Sequence, residues 1–331
     1  IWQGIQTSFQ HIGWFERPTS TIFYSVILFL LFAFYLLLLS LVKSEKLTKK
    51  QFWWLVVPSS ILLLFSYNAF SYDLFNYMFD ARIVTVHGEN PYEHRALDYP
   101  QDPWINFMRW THRTYPYGPV WLGLTIPFSF LGFQFFLPTL FLFKSLIVGG
   151  YLGTVYFTGK ILDKINPKEK LLGMAFLAFN PLIIIESLVS GHHDILMIFF
   201  LIMSIYLLMN KYYIRSLFMF ILSVGIKFSS IVLLPVVCWI GFLKVRKEKI
   251  NWEKVFLVSL VLSLVAVVLA SLRTELQPWY IIWVLPFVSL LPQRKWFTAP
   301  SIVISFGLLL HYIPFLYTGN WDPPIPTIKS A

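Results

Sequence analysis

Residues 21–42, TIFYSVILFLLFAFYLLLLSLV, run for 22 positions without a charged side chain and end against Lys43. A helix needs about 20 such residues to cross the hydrocarbon of a bilayer. The stretch is therefore read as a membrane span closed by a basic anchor. Outward from it, further spans are expected at 52–70, 133–158, 171–189, 255–272 and 298–317, with shorter apolar pieces at 195–209 and 279–291. The run from Ser216 to Leu243 is too long for one crossing and short for two. Basic residues flank it on both sides, at Lys211 and Arg215, then at Lys244, Arg246, Lys247 and Lys249. It is expected to enter and return as two short helices hinged near 225–230.

Composition points the same way. Apolar residues make up 57% of the chain and aromatics 19%, and mean hydropathy is +0.67. Charged residues are 13%, where a soluble domain carries about 25%. The expected fold class is an all-α polytopic membrane protein, a single transmembrane domain over residues 1–331. Because the first residue is Ile1 rather than Met, the sequence is read as a fragment at its N-terminus. The single Cys238 lies in an apolar run, which excludes an intrachain disulfide framework and a thiolate metal site. The net charge of +10 is scattered over short loops between apolar spans and forms no nucleic-acid footprint.

Orientation follows from where the basic residues fall. The loops 43–50, 160–170, 211–215 and 244–254, with Arg294 and Lys295, are short and basic. Placing all of them in the cytoplasm gives about ten crossings with both ends outside. The segment 71–132, the turn at Gly191-His192-His193-Asp194 and the turn 272–279 then share the extracytoplasmic face. Acidic and histidine-bearing loops thus gather on one side.

The 71–132 segment is expected to be the catalytic loop. Asp73, Asn76, Tyr77 and Asp80 are spaced i, i+3, i+4, i+7 and share a face if 73–86 is helical. Gly88 and Asn90-Pro91 then end the helix. Residues 119–131, interrupted by Pro127, are too few to span and are expected to lie at the interface. Asp73 follows a span directly and is reachable and ionisable, as a general base must be. Asp80 is open to a second reading, pairing with Arg82. For His192, His193 and Asp194, contact with the sugar or phosphate of a substrate is weighed against a polar hairpin and against a divalent metal site. Lys144, Glu186 and Lys227 interrupt apolar helices. Snorkelling to a headgroup accounts for Lys144, whereas Lys227, at the hinge, is placed to bind a lipid phosphate as a point charge. Trp104, Trp110, Tyr115, Tyr117, Trp121, Trp279, Tyr280 and Trp283 suit interfacial anchors, with sugar stacking open to some of them.

The residues from Tyr72-Asp73 to Asn90-Pro91-Tyr92, then Trp110 and Tyr117-Gly118-Pro119, resemble the first outer loop of polyprenol-phosphate-mannose-dependent mannosyltransferases of the GT-C superfamily. Within that group the chain looks most like the actinobacterial α-1,6-mannosyltransferases of lipomannan synthesis. Gly191-His192-His193-Asp194-Ile195-Leu196-Met197 is similar to a second motif of the family, with His193 where an Asn is usual. Lys227 before an apolar run ending at Pro235, and Trp279-Tyr280 with Trp283 near Pro286, also fit, so the resemblance runs over about residues 50–320.

The resemblance implies a GT-C fold and a polyprenol-phosphate sugar donor, with a glycan or glycolipid as acceptor. It also implies inversion at the anomeric carbon and Asp73 as the base. Asp80, Arg82, Tyr117, His192, His193, Asp194, Lys227 and Tyr280 become the expected substrate-binding residues, with Lys227, Arg82 and His192 supplying charge to the phosphate. No cofactor is identified, a divalent metal is left open, and the site is expected on the extracytoplasmic face of a bacterial cell membrane. The alternative is a transporter or flippase of a lipid-linked or sugar substrate, which predicts inverted repeats and midplane charges. No repeat is visible in the sequence.

Overall fold

The computed structural model describes residues 2–320. Its helices are, in order, α1 (Trp2–Trp14), α2 (Arg17–Lys43), α3 (Lys49–Leu64), α4 (Asp73–Arg82), α5 (Pro119–Leu131), α6 (Phe136–Ile165), α7 (Lys170–Ala178), α8 (Pro181–Ile183), α9 (Asp194–Met209), α10 (Tyr213–Ile226), α11 (Leu234–Val245), α12 (Trp252–Thr274), α13 (Leu285–Ser289), α14 (Lys295–Leu310) and α15 (Tyr312–Thr318). No strand forms among the described residues, and the one isolated bridge joins Arg95 to Thr114. The protein is an all-α polytopic membrane protein.

The helix ends are written locally. Pro18 lies in the first turn of α2 and Lys43 in its last. Thr48 and Gln51 close a reciprocal capping box at the start of α3. Asp73 donates its backbone N–H to Ser71 Oγ at 3.1 Å as α4 begins. After Arg82, α4 runs into a π turn over Ile83–His87, and Gly88 ends it at φ 71°. The helical reading of 73–86 and its stop at Gly88 therefore hold. α5 continues through Pro127 without a break.

Among the described residues, five helical stretches are long and apolar enough to cross a membrane: Arg17–Lys43, Phe136–Ile165, Phe228–Val245, Trp252–Thr274 and Lys295–Thr318. The pair Pro167–Ala178 and Pro181–Val189, bent by 47°, makes a sixth when counted as one span. This is fewer than the ten crossings expected, and length is the reason. With 16, 16 and 14 residues, α3, α9 and α10 reach only about 21–24 Å against a hydrocarbon core of about 30 Å.

Four boundaries differ from the sequence reading. The expected span 52–70 stops at Leu64 because buried Lys144 of α6 donates to the Ser66 carbonyl and hydroxyl, at 2.8 and 3.0 Å. Lys144 thus satisfies acceptors just past the end of α3 instead of snorkelling to a headgroup. The span 171–189 bends where Asn180 caps the Leu182 N–H and Pro181 has none to donate. The piece 279–291 divides into a 3₁₀ turn, Pro278–Trp283, and α13. The run 216–243 does break at Lys227, which is extended at φ −148° and ψ 125°. Its second part, Phe228–Val245, is nevertheless long enough to cross alone.

α9 packs between α6 and α10 and is buried along most of its length. The turn just before it, at 191–193, lies against α4 through Leu74 and Tyr77. α4 itself is buried from Leu74 to Arg82. Two glycines set this approach. Gly191 takes φ 77°, and a Cβ there would meet Asn68 Oδ1 and Leu74 Cδ2 at 3.0 Å. Gly118 donates its N–H to the Ile226 carbonyl, and a Cβ on it would lie 2.1 Å from the Gly225 carbonyl oxygen. The first glycine brings the histidine turn under α4; the second ties the long loop to the hinge before Lys227.

Candidate active site

Asp73 opens α4, and its carboxylate keeps 16% of its side-chain surface exposed. Its Oδ2 lies 3.5 Å from His192 Nδ1. The imidazole is fully buried and stacks on Trp279, with ring centroids 4.1 Å apart and planes at 21°. Its Nε2 lies 3.3 Å from Glu186 Oε2. Neither ring nitrogen has an aligned hydrogen bond, so both contacts act by charge. Burial disfavours the imidazolium, but Glu186, Asp73 and Asp194 outweigh it and hold His192 above its ordinary 6.5. The surrounding carboxylates thus favour the imidazolium form of His192.

Asp194 begins α9 and is also fully buried. Its Oδ1 accepts from Lys227 Nζ at 2.8 Å and from Trp283 Nε1 at 2.6 Å. The Lys227 ammonium lies 5.7 and 5.2 Å from the Tyr280 and Trp283 rings, within cation–π range. It keeps 22% of its side chain exposed. Tyr280 shares a 2.7 Å hydrogen bond with Thr274 Oγ1. Lys227, Asp194 and Tyr280 thus come together as one cationic corner.

His193 turns the other way. Its Nδ1 is 2.7 Å from the Tyr77 hydroxyl, and its ring stacks on Trp121 with Tyr117 and Tyr77 edge-on. Burial pushes His193 from 6.5 down to about 3, so it stays neutral. Burial also raises Tyr77 and Tyr117 well above their ordinary value, and Asp73 adds to this in both. These three residues pin α4 to α9 and are not poised to exchange protons.

Three expectations need correction. The first concerns Asp80 and Arg82, which do not pair. Residues two apart on a helix point to different sides, and Arg82 Nε instead donates to Asp102 Oδ2 at 2.6 Å. There the guanidinium lies 4.4 Å from the centre of the Trp104 ring, and His87 Nε2 shares Asp102 Oδ2 at 3.1 Å. Burial works against the Asp102 charge, but Arg82, the Trp104 backbone N–H and His87 hold it below the usual carboxylate range. Arg82 is thus spent on locking the loop and does not join the Asp73 cluster. The second concerns Asp80, which lies buried on the face it shares with Asp73. Burial, then the Asp73 charge, raises it well above 3.8, which favours its neutral form. Third, the turn His192-His193-Asp194 fits the reading as a hairpin of hydrogen-bonding histidines only in part: His193 bonds Tyr77, His192 makes no hydrogen bond, and all three side chains are fully buried beneath Asp73, α4 and Lys227.

Among the described residues, no group of three or more His, Cys, Asp and Glu side chains is arranged to hold a metal ion. Asp73 and Glu186 approach opposite nitrogens of His192 and do not surround a common point. Glu186 was visible in the sequence only as a lone acid in an apolar span. Its tie to His192 arises because the π segment Ile184–Val189 and Gly191 fold the chain back, so that the His192 N–H bonds the Glu186 carbonyl at 3.0 Å. Asp102 gave no signal beyond a charge in a loop.

No curated protein and no solved structure matches the chain. A family model does match, over residues 4–242, described as the alpha-(1->6)-mannopyranosyltransferase N-terminal domain. That range holds Asp73, Glu186, the histidine turn and Lys227, and leaves Trp279–Trp283 and Tyr312 outside it. The chain, with its long α4–α5 loop seated on a buried histidine turn, belongs to the alpha-(1->6)-mannopyranosyltransferase family and is a membrane glycosyltransferase.

Proposed function

We propose that the protein moves mannose from a polyprenol-phosphate donor to a hydroxyl of a glycan or glycolipid acceptor, at the extracytoplasmic face, with inversion at the anomeric carbon. The observation that carries this reading is that one buried turn holds both a partly open carboxylate, Asp73 against His192, and a partly open ammonium, Lys227 against Asp194. In the step, the acceptor oxygen attacks the anomeric carbon while the bond from that carbon to the phosphate oxygen breaks. The electron pair leaves with the phosphate, and the hydroxyl proton passes to Asp73. A phosphate is already a stable anion, so no general acid is needed, unlike glycoside hydrolysis. Lys227 offsets the charge that develops on the phosphate, as a preorganised cation does in an oxyanion site. Asp80 is fully buried with its neutral form favoured, which suits it less to the role of base, and the tyrosines around it are held neutral.

Membranes containing the protein should transfer label from polyprenol-phosphate [³H]mannose to an endogenous or added mannan acceptor. Transfer from a nucleotide-linked mannose with none from the lipid-linked donor would overturn the donor assignment. The face is tested separately. With the exposed native Cys238 replaced by Ser, Gln101→Cys in the long loop should react with an impermeant thiol reagent in intact cells. Reaction only after permeabilisation would place the loop, and the site with it, in the cytoplasm.

A further inference from the structure

Behind Asp73 lies a second acid that the transfer step above does not use. Glu186 is fully buried on the π segment of the bent pair. Its Oε1 accepts from the Tyr312 hydroxyl at 2.9 Å. Its Oε2 makes no hydrogen bond and faces His192 Nε2 at 3.3 Å. The far nitrogen of the same ring faces Asp73 at 3.5 Å. The ring cannot swing away, because Trp279 covers its face. Asp73, His192 and Glu186 therefore form one line of charge running from the partly open end of α4 into the apolar interior. An acid buried in such a span costs free energy unless a cation compensates it, and the cation facing Glu186 is His192.

We propose that Glu186 is a positioning residue that holds the His192 ring in place against Asp73, so that the Asp73 carboxylate stays directed at the acceptor hydroxyl. This rests on the reading of Asp73 as the base. The arrangement follows the logic by which a buried carboxylate orients a catalytic histidine and stabilises its charge, with the base here a carboxylate at the near end. No additional bond is made or broken: the acceptor proton still goes to Asp73, and His192 keeps its own. The groups facing His192 are Asp73 from α4, Glu186 from the π segment and Asp194 at the start of α9, with His193 beside it and Lys227 engaged by Asp194. Of the three carboxylates, Glu186 is the one not otherwise given to a cation or open to substrate.

The test is Glu186→Gln, which keeps the side-chain volume and an oxygen for Tyr312 but removes the charge. We expect kcat for mannosyl transfer to fall by about tenfold or more, a fraction of what a positioned base supplies, with the donor KM little changed. Without Glu186 the imidazolium is less favoured, so the alkaline limb of the kcat profile should move to lower pH, by about one unit or more for a lost charge at this distance. Glu186→Asp should fall between the two. In an Asp73→Asn background, Glu186→Gln should add no further loss, because it acts through the same carboxylate. An unchanged kcat and pH profile in Glu186→Gln, with Asp73→Asn inactive, overturns the role of Glu186 and leaves the base standing. Full activity in Asp73→Asn removes the base itself. If Glu186→Gln does not accumulate as folded protein, the profile of Glu186→Asp decides: a downward shift of the alkaline limb supports the proposal, and none overturns it.

Discussion

Replacing Asp73 by Asn should reduce mannosyl transfer by at least about two orders of magnitude, the lower range of what a positioned general base contributes, while donor binding is largely retained. Asn fills the same space and keeps one oxygen near His192 Nδ1, but it cannot take the acceptor proton. The control lies on the same helix face. Asp80 is buried, and its surroundings and the Asp73 charge favour its neutral form. An amide is close in shape and hydrogen bonding to a protonated carboxyl, so Asp80→Asn should cost less than about tenfold, below what a base supplies. Single-turnover transfer from labelled polyprenol-phosphate mannose in detergent, with donor binding measured in parallel, reads both variants. An inactive Asp80→Asn beside an active Asp73→Asn would reverse the assignment and leave the fold untouched.

Much of this architecture is legible in the sequence because apolar length and helical periodicity are local properties. The charge-free run at 21–42, the shared face of Asp73, Asn76, Tyr77 and Asp80, and the stop at Gly88 all depend on neighbours within a few residues. What escapes the sequence depends on partners far along the chain. Nothing near Leu64 announces that α3 ends there; the acceptors of Ser66, just past its end, are taken by Lys144, 78 residues away. Arg82 reads as a phosphate ligand until Asp102 is found 20 positions on. Glu186 and His192 are six apart, a separation that puts residues on different sides of a regular helix, and only the π segment and the positive φ of Gly191 turn them together. The same turn accounts for the burial of the histidines: a motif that reads as a loop between two spans is pressed against α4 through Gly191 and Leu74.

Lys227→Met is the second variant expected to fail badly, and it is expected to fail for two separable reasons. The ammonium donates to Asp194 at 2.8 Å, and Asp194 is fully buried with Trp283 Nε1 as its other partner. Removing one member of a buried pair leaves an uncompensated charge, at a cost of about 3–5 kcal/mol. The single variant should therefore unfold at lower temperature in detergent as well as lose transfer. Changing Asp194 to Asn at the same time removes the stranded charge and keeps an oxygen for Trp283. The double variant Lys227→Met/Asp194→Asn should thus recover most of the lost stability. It should not recover transfer, because the cation proposed to face the leaving phosphate is still missing; loss of one such electrostatic donor costs about 10²–10³ in rate. The comparison separates two roles that one contact would otherwise confound. Recovery of both thermal stability and transfer in the double variant would reduce Lys227 to a counter-ion for Asp194. Recovery of stability alone would assign the ammonium, 22% exposed beside Tyr280 and Trp283, to the donor phosphate.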